Sequence, residues 1–159
     1  MLLQAFRIVV LTLALVSWQS RPHLSEDVEP QIKGGESIAR EGRWSIFRMP
    51  ESPSRLKCVA LHRSDVPVTL FAEGLSVGYI GRGPVIAYSL QVDDRALGAP
   101  QSPWVDPWII GLRSSEFRRV VAAKRLRIDA ATHTGRFRDD LDLTGIQAAV
   151  EILASERCQ

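Results

Sequence analysis

The sequence is poor in the residues that build metal and redox sites. It has two cysteines and three histidines among 159 residues, and no Cys-x-x-Cys pair is present. Structural zinc sites need four Cys or His ligands at short spacings, which these scattered residues do not supply. We therefore expect no bound metal and no other cofactor.

Catalytic signatures are lacking as well. No Gly-x-Ser-x-Gly elbow is present, and residues 78–83 have neither the glycine order nor the lysine of a phosphate-binding loop, so they predict a hairpin turn. His62 with Asp65, or His133 with a carboxylate, would give an acid–base pair, but no spacing favours either pairing. The sequence does not predict an enzyme.

Charge of one sign is not in excess. The chain has 20 Lys and Arg against 18 Asp and Glu, and loss of Arg7 with a signal peptide leaves 19 basic against 18 acidic side chains. Proteins that bind nucleic acid concentrate positive charge in order to displace phosphate counterions. The balance therefore argues against a nucleic-acid partner.

The apolar run near the N-terminus is short. Residues 8–16 would rise only about 14 Å as a helix, half the hydrocarbon thickness of a bilayer, so we expect no stable transmembrane span in the mature chain. With Arg7 before the run and a more polar stretch after it, residues 1–20 have the layout of a secretory signal peptide. A buried N-terminal helix or strand and an uncleaved membrane anchor are the alternatives.

The remainder divides into a leader and one domain. Residues 21–42 contain two prolines, adjacent glycines and many charges without a stable period, which is typical of a flexible leader. Residues 43–159 are long enough to bury a core of their own. We expect a periplasmic or secreted protein of a Gram-negative bacterium.

The two cysteines, Cys58 and Cys158, are expected to form a disulfide. The compartments outside the inner membrane are oxidising, and a lone pair in an exported chain most often bridges. The bridge would join a central strand to the end of the C-terminal helix. Two buried free thiols, or a nucleophilic Cys58, are the alternatives.

Hydrophobic periodicity predicts an α+β fold. Apolar residues at helical spacing predict helices at about 115–124 and 145–157, the second with Thr144 and Gln147 at capping-box spacing. Alternating or continuous apolar runs predict strands over residues 44–47, 56–63, 66–71, 75–80, 85–92, 108–112, 126–130 and 137–143. We predict an antiparallel sheet or sandwich of about seven strands with the two helices packed against it.

The C-terminal part resembles a known family. A helix-then-strand unit, a glycine turn and a second strand lead into Leu143-Thr-Gly145, followed by Ala149 and Leu153. Over about residues 115–153 this ending resembles that of the invasion-associated locus B family and related exported proteins of proteobacteria, although the further central cysteines of that family are missing. The resemblance implies an envelope or host-interaction role and carries no catalytic residues.

Two groups of side chains are candidates for a partner surface. Trp104 and Trp108 lie among prolines in a predicted loop. Their rings either present aromatic faces to a glycan or a partner protein, or are buried in the core beneath the loop. Arg118 and Arg119 belong to a basic window at residues 113–127 that would meet anionic lipid, lipopolysaccharide or an acidic partner, or is simply a solvated helix face.

An acidic cluster lies within the second strand of that C-terminal unit. Asp140 and Asp142 share the polar face of the predicted strand and are expected to be solvated and salt-bridged, because their spacing is not that of a calcium loop. Asp139 shares the parity of the apolar residues, so its burial would distinguish it from the other two.

These observations favour a non-enzymatic, exported envelope protein that binds a protein, glycan or lipid partner of the envelope or host. A small periplasmic hydrolase whose site is assembled across strands is one alternative. A structural accessory protein with no ligand is the other.

Overall fold

The computed structural model describes residues 30–49, 57–103 and 106–158. In chain order the elements are β1 (Glu36–Glu41), β2 (Trp44–Arg48), β3 (Cys58–His62), β4 (Val68–Phe71), β5 (Gly74–Gly78), β6 (Val85–Val92), β7 (Arg95–Ala96), β8 (Ile109–Arg113), α1 (Ser114–Val121), β9 (Arg125–Thr132), β10 (Gly135–Asp142), α2 (Ile146–Leu153) and a 3-10 turn, Glu156–Cys158. The predicted signal peptide lies outside the described residues.

The strands form two antiparallel sheets, and the predicted α+β class is confirmed. The first sheet has the order β1-β2-β3-β4-β5-β8 and the second the order β10-β9-β6-β7. Neighbours in space are mostly neighbours in sequence, as short hairpin connections require. The chain leaves the first sheet after β5, builds β6 and β7, and returns to pair β8 with β5.

One apolar row crosses each sheet because directly opposed residues share a face. In the first sheet the row contains Ile46, Ala60, Leu70, Leu75 and Leu112, all at most 2% exposed. The second sheet, α1 and α2 add their apolar side chains to the same core. A single hydrophobic core therefore connects both sheets and both helices.

Both predicted helices are present with shorter bounds. Helix α1 ends at Val121 rather than near residue 124, because the Asp93 carboxylate accepts the backbone N–H groups of Lys124 and Arg125, each at 3.0 Å. Helix α2 ends at Leu153, and the chain continues to Cys158 through a separate 3-10 turn.

The predicted capping box at α2 is wrong. The residue before the helix is Gly145 in the left-handed conformation, with no side-chain cap. The Thr144 hydroxyl instead donates to the Asp142 carboxylate at 2.6 Å.

The N-terminal boundary of the fold differs from the expectation. Strand β1 lies inside residues 21–42, the segment predicted to be a leader, and pairs along its length with β2. Folded structure thus begins before residue 43. Alternation did not reveal β1, because its side chains are only partly buried or exposed and several are charged.

The predicted disulfide is confirmed. Cys58 and Cys158 are bonded, with their Cα atoms 5.2 Å apart. Cys58 begins β3, which lies between β2 and β4, and Cys158 ends the 3-10 turn after α2. The bridge ties the end of the described chain to an interior strand of the first sheet.

Candidate functional site

Four large hydrophobic side chains are exposed in the described part of the chain. They are Ile80 at 76% exposure, Ile86 at 50%, Trp108 at 40% and Ile109 at 39%. Single exposed hydrophobics are ordinary on protein surfaces, but a group of them in one place indicates an interaction site. Their relative positions decide whether they form such a site.

Main-chain hydrogen bonds join the segments that carry the four residues. The Tyr79 N–H donates to the Trp108 carbonyl at 2.7 Å, which extends the pairing of β5 with β8 beyond Gly78 and Ile109. The Val85 N–H donates to the Pro107 carbonyl at 2.6 Å. Each exposed side chain belongs to a bonded residue or its direct neighbour, and we call Ile80, Ile86, Trp108 and Ile109 the apolar end.

A buried polar cluster lies beneath this end. Tyr79, fully buried, donates its hydroxyl to Asp139 at 2.9 Å, and Arg82 donates to both oxygens of the same carboxylate at 2.8 and 3.1 Å. The Arg82 guanidinium lies 5.0 Å from the centre of the Phe137 ring. Burial, and next the negative Asp139, raise the pKa of Tyr79, so its hydroxyl stays protonated and can donate.

The cluster connects the two sheets. Arg82 lies in the connection from β5 to β6, its main-chain carbonyl accepts a hydrogen bond from the Thr132 hydroxyl at 2.7 Å, and Asp139 lies on β10. Both carboxylate oxygens are occupied by internal donors, and the charges of Arg82 and Asp139 compensate each other. The cluster therefore holds the turn that carries Ile80 in place and offers no free group for catalysis.

The three aspartates of β10 are separated by strand parity, as the alternation predicts. Asp139 lies opposite Ile128 and its side chain is 11% exposed. The Asp140 side chain is 46% exposed and pairs with Arg127 at 2.9 Å on the solvent face. Asp142 accepts hydrogen bonds from Thr144, which lower the pKa of its carboxyl.

The predicted partner residues do not form one surface. Trp108 precedes β8, and Arg118 and Arg119 follow it on α1, so the five residues of β8, about 16 Å of strand, lie between them. Both arginines are exposed, and Arg119 donates to the Ala96 carbonyl at 3.3 Å. Trp104 lies outside the described residues.

Neither histidine is joined to a carboxylate by a hydrogen bond in the structure described. His62 is 6% exposed, its Nε2 donates to the main-chain carbonyl of Asp142 at 2.7 Å, and its ring meets the Trp44 ring edge-on with centroids 4.8 Å apart. Burial lowers the pKa of His62, so the ring is neutral near pH 7. His133 is exposed in the turn before β10.

No group of three His, Cys, Asp or Glu side chains among residues 30–49, 57–103 and 106–158 is arranged to hold a metal ion. None of the helices formed there combines the length and the hydropathy needed to cross a bilayer.

The chain matches no protein-family model, no curated protein and no solved structure. The resemblance to the invasion-associated locus B family stays a prediction.

Sequence reasoning found Trp108 but missed Ile80, Ile86 and Ile109. Residues 75–80 were predicted as a strand, whereas β5 ends at Gly78 and Ile80 enters the turn. A register shift between Val85 and Ala87 makes a bulge in β6, so Ile86 faces outward beside the buried Val85. Apolar alternation does not reveal a bulge, because it depends on the partner strand.

Proposed function

We propose that this chain is a non-enzymatic protein of the cell envelope that binds a partner protein through the apolar end. The observation that carries the proposal is the grouping of Ile80, Ile86, Trp108 and Ile109, all at least 39% exposed, on segments joined by main-chain hydrogen bonds. Isoleucine and tryptophan side chains bury large apolar areas on binding, and tryptophan is enriched among the residues that dominate binding energy.

The charges around the apolar end favour a protein over a lipid surface. Residues 78–86 and 106–109 contain two charged side chains, Arg82 and Asp106, of opposite sign. Arg82 is paired with Asp139, and Asp106 accepts the Trp108 N–H at 2.8 Å. Association with anionic lipid needs several unpaired basic residues beside the apolar ones, and these segments supply none.

The side chains also favour a protein over a glycan. Three of the four exposed residues are isoleucine, which has no aromatic face on which a sugar ring can stack. Aliphatic side chains together with one tryptophan match the composition of the apolar centre of a protein–protein interface, which polar side chains surround.

Export to the periplasm or beyond is part of the proposal. The Cys58–Cys158 disulfide is compatible with an oxidising compartment, and the N-terminal residues have the layout of a signal peptide. N-terminal sequencing of the protein purified from the envelope fraction tests this part. We expect a start at about residue 18 or 21, whereas an intact Met1 in a soluble cytoplasmic fraction would refute export.

Affinity capture with matched variants tests the binding surface. The tagged wild type, Ile80→Asp and Arg118→Asp are incubated with detergent-solubilised envelope of the native cell, and captured proteins are quantified by mass spectrometry. Ile80→Asp places a charge in the centre of a desolvated contact, so capture of the partner should fall at least about tenfold. Arg118→Asp is the matched control, because it also introduces an aspartate but lies on α1, after the C-terminal end of β8. This variant should capture the partner at the wild-type level.

Two results would contradict the proposal. Identical sets of captured proteins for the wild type and Ile80→Asp would show that the apolar end binds nothing in the envelope. A protein lost with Arg118→Asp but kept with Ile80→Asp would move the site to the basic helix α1. Circular dichroism and urea unfolding of each variant establish that the fold is unchanged.

A further inference from the structure

Strand β8 is an edge strand of the first sheet. It pairs with β5, and no other strand of the described chain pairs with it. An unpaired edge presents a row of main-chain N–H and C=O groups that can template another strand. The register of the β5–β8 pair determines which groups those are.

Alternate residues of β8 direct their main-chain groups away from β5. The Tyr79 N–H donates to the Trp108 carbonyl, so Tyr79 and Trp108 form a hydrogen-bonded pair of the ladder. Because such pairs alternate in an antiparallel ladder, Ile110 and Leu112 bond to β5 while Ile109, Gly111 and Arg113 direct their groups outward. The Ile109 N–H donates to the Asp106 carbonyl at 3.2 Å.

The outward groups match the pattern of a strand ladder. They are the Ile109 carbonyl, the N–H and carbonyl of Gly111, and the Arg113 N–H, and no hydrogen bond to another described residue is made by any of them. One extended partner segment in antiparallel orientation can bond all four, with both groups of Gly111 exchanging bonds with a single partner residue.

The exposed face of β8 is uncovered at Gly111. Gly111 is exposed, and a Cβ atom added to it would have no heavy atom within 4 Å. Trp108 and Ile109 of the apolar end lie on the same strand or directly before it. The open edge and the apolar end are therefore continuous.

We propose that the partner supplies an extended segment that adds a strand to the β8 edge. This inference rests on the proposed function and specifies how the partner protein is held. The free main-chain groups bind the partner backbone regardless of its sequence. Specificity comes from the apolar end, which accepts apolar side chains beside Ile109, and from the space at Gly111, which accepts a large side chain on the paired residue.

The same geometry disfavours a second copy of this chain as the occupant. The antiparallel register that uses all four groups would place Gly111 of one copy against Gly111 of the other. Ile109 would then lie opposite Arg113, so an apolar side chain would meet a charged one. A partner segment with alternating apolar side chains has no such mismatch.

A displayed library of random eight-residue peptides, selected on the full chain, tests the edge. Binding of the selected peptides is then measured with Gly111→Pro and Gly111→Ala. Proline removes the Gly111 N–H and projects its ring outward, at an edge position where sheets tolerate proline. Alanine keeps the N–H and meets open space. We expect peptide affinity to fall at least tenfold with Gly111→Pro and to stay within twofold of wild type with Gly111→Ala.

Amide hydrogen exchange on the wild type gives a readout that does not depend on the folding of a variant. A bound peptide should slow exchange at Gly111 and Arg113 at least tenfold and leave Ile110 and Leu112, already bonded to β5, unchanged. Peptides that leave Gly111 and Arg113 unprotected, or that bind Gly111→Pro as tightly as wild type, would overturn the inference.

The outcomes separate this inference from the proposed function. Binding that is lost with Ile80→Asp but kept with Gly111→Pro retains the apolar end as the site and refutes strand addition. Peptides that bind Ile80→Asp as tightly as the wild type would refute the proposed function. A concentration-dependent dimer that Gly111→Pro abolishes would make a second copy the occupant and overturn the partner segment.

Discussion

The buried polar atoms of the described residues divide into those with a structural partner and those without a hydrogen-bond partner, such as the Trp44 Nε1, the Ser45 Oγ and the His62 Nδ1. Asp139 takes the place of an apolar residue on β10 because Tyr79 and Arg82 compensate its carboxylate from the β5–β6 connection. His62 is different, since its Nδ1 has no hydrogen-bond partner within the described chain. At the scale of single residues, His62 is therefore the group most sensitive to protonation.

Protonation of His62 should lower stability. A protonated ring would carry its charge and an unsatisfied Nδ1–H inside the core, near Arg43 and Arg63, and burial is the main reason that its pKa lies below 6.5. Below pH 6.5 the unfolded chain therefore binds a proton that the folded chain does not. The His62 contribution is fully present above pH 6.5 and is lost as the pH falls, at up to about 1.4 kcal/mol per pH unit.

Urea unfolding between pH 7.5 and 5.5 measures this effect. As the pH is lowered, the free energy of unfolding should decrease in the wild type and should decrease less in His62→Gln. His133→Gln, which replaces an exposed histidine, is the matched control and should behave like the wild type. Equal slopes in His62→Gln and the wild type would show that His62 is not the group responsible.

The strands with a clear apolar pattern were the most predictable elements. Residues 85–92 were predicted as a strand and are β6, and Asp139, which shares the parity of the apolar residues of β10, has a side chain that is 11% exposed. Strands β1 and β7 were missed because their side chains are half-buried or exposed, so burial leaves no pattern in the sequence. The helix ends were misplaced because they depend on distant groups, such as Asp93 at the end of α1.

The contact between the β1–β2 turn and the start of α2 gives a prediction at this scale. Gly42 and Gly145 both have positive φ, and a Cβ on Gly145 would lie within 3.0 Å of the Glu41 carbonyl. Gly145→Ala should therefore cost more than the roughly 1–2 kcal/mol of a left-handed alanine, because the turn must also move away from the helix.

Gly81→Ala is the matched control for this prediction. Gly81 has a similar φ of 87° but no heavy atom within 4 Å of an added Cβ, so it carries the backbone cost alone. Urea unfolding of the two variants should show the larger loss for Gly145→Ala. Equal losses would mean that the turn and the helix are not packed as described.

The molecule as a whole depends on connections between segments that are distant in sequence. The disulfide could be predicted because two cysteines allow one pairing, whereas the apolar end could not, since it depends on which loops the main-chain hydrogen bonds join. No sequence pattern indicates that the segments containing Ile80, Val85 and Trp108 lie next to one another in the fold. The outline of the fold was therefore predictable, and the candidate surface was not.

Reduction of the disulfide should weaken the whole fold. The bond closes a loop with a sequence separation of 100 residues, so the chain-entropy model predicts that reduction lowers the free energy of unfolding by about 3–5 kcal/mol. Urea unfolding with and without a phosphine reductant measures the difference on the same chain. The Cys58→Ala/Cys158→Ala variant should not respond to reductant, and two free thiols in the unreduced, unfolded wild type would contradict the bridge.

Site-specific photocrosslinking in living cells tests the central claim most directly. Benzoylphenylalanine is placed in turn at residue 80, in the apolar end, and at residue 136, where the exposed Arg136 lies on β10. Illumination should join position 80, but not position 136, to one envelope protein of defined mass. No crosslinked product at position 80, or the same products at both positions, would contradict the assignment of the apolar end as the binding surface.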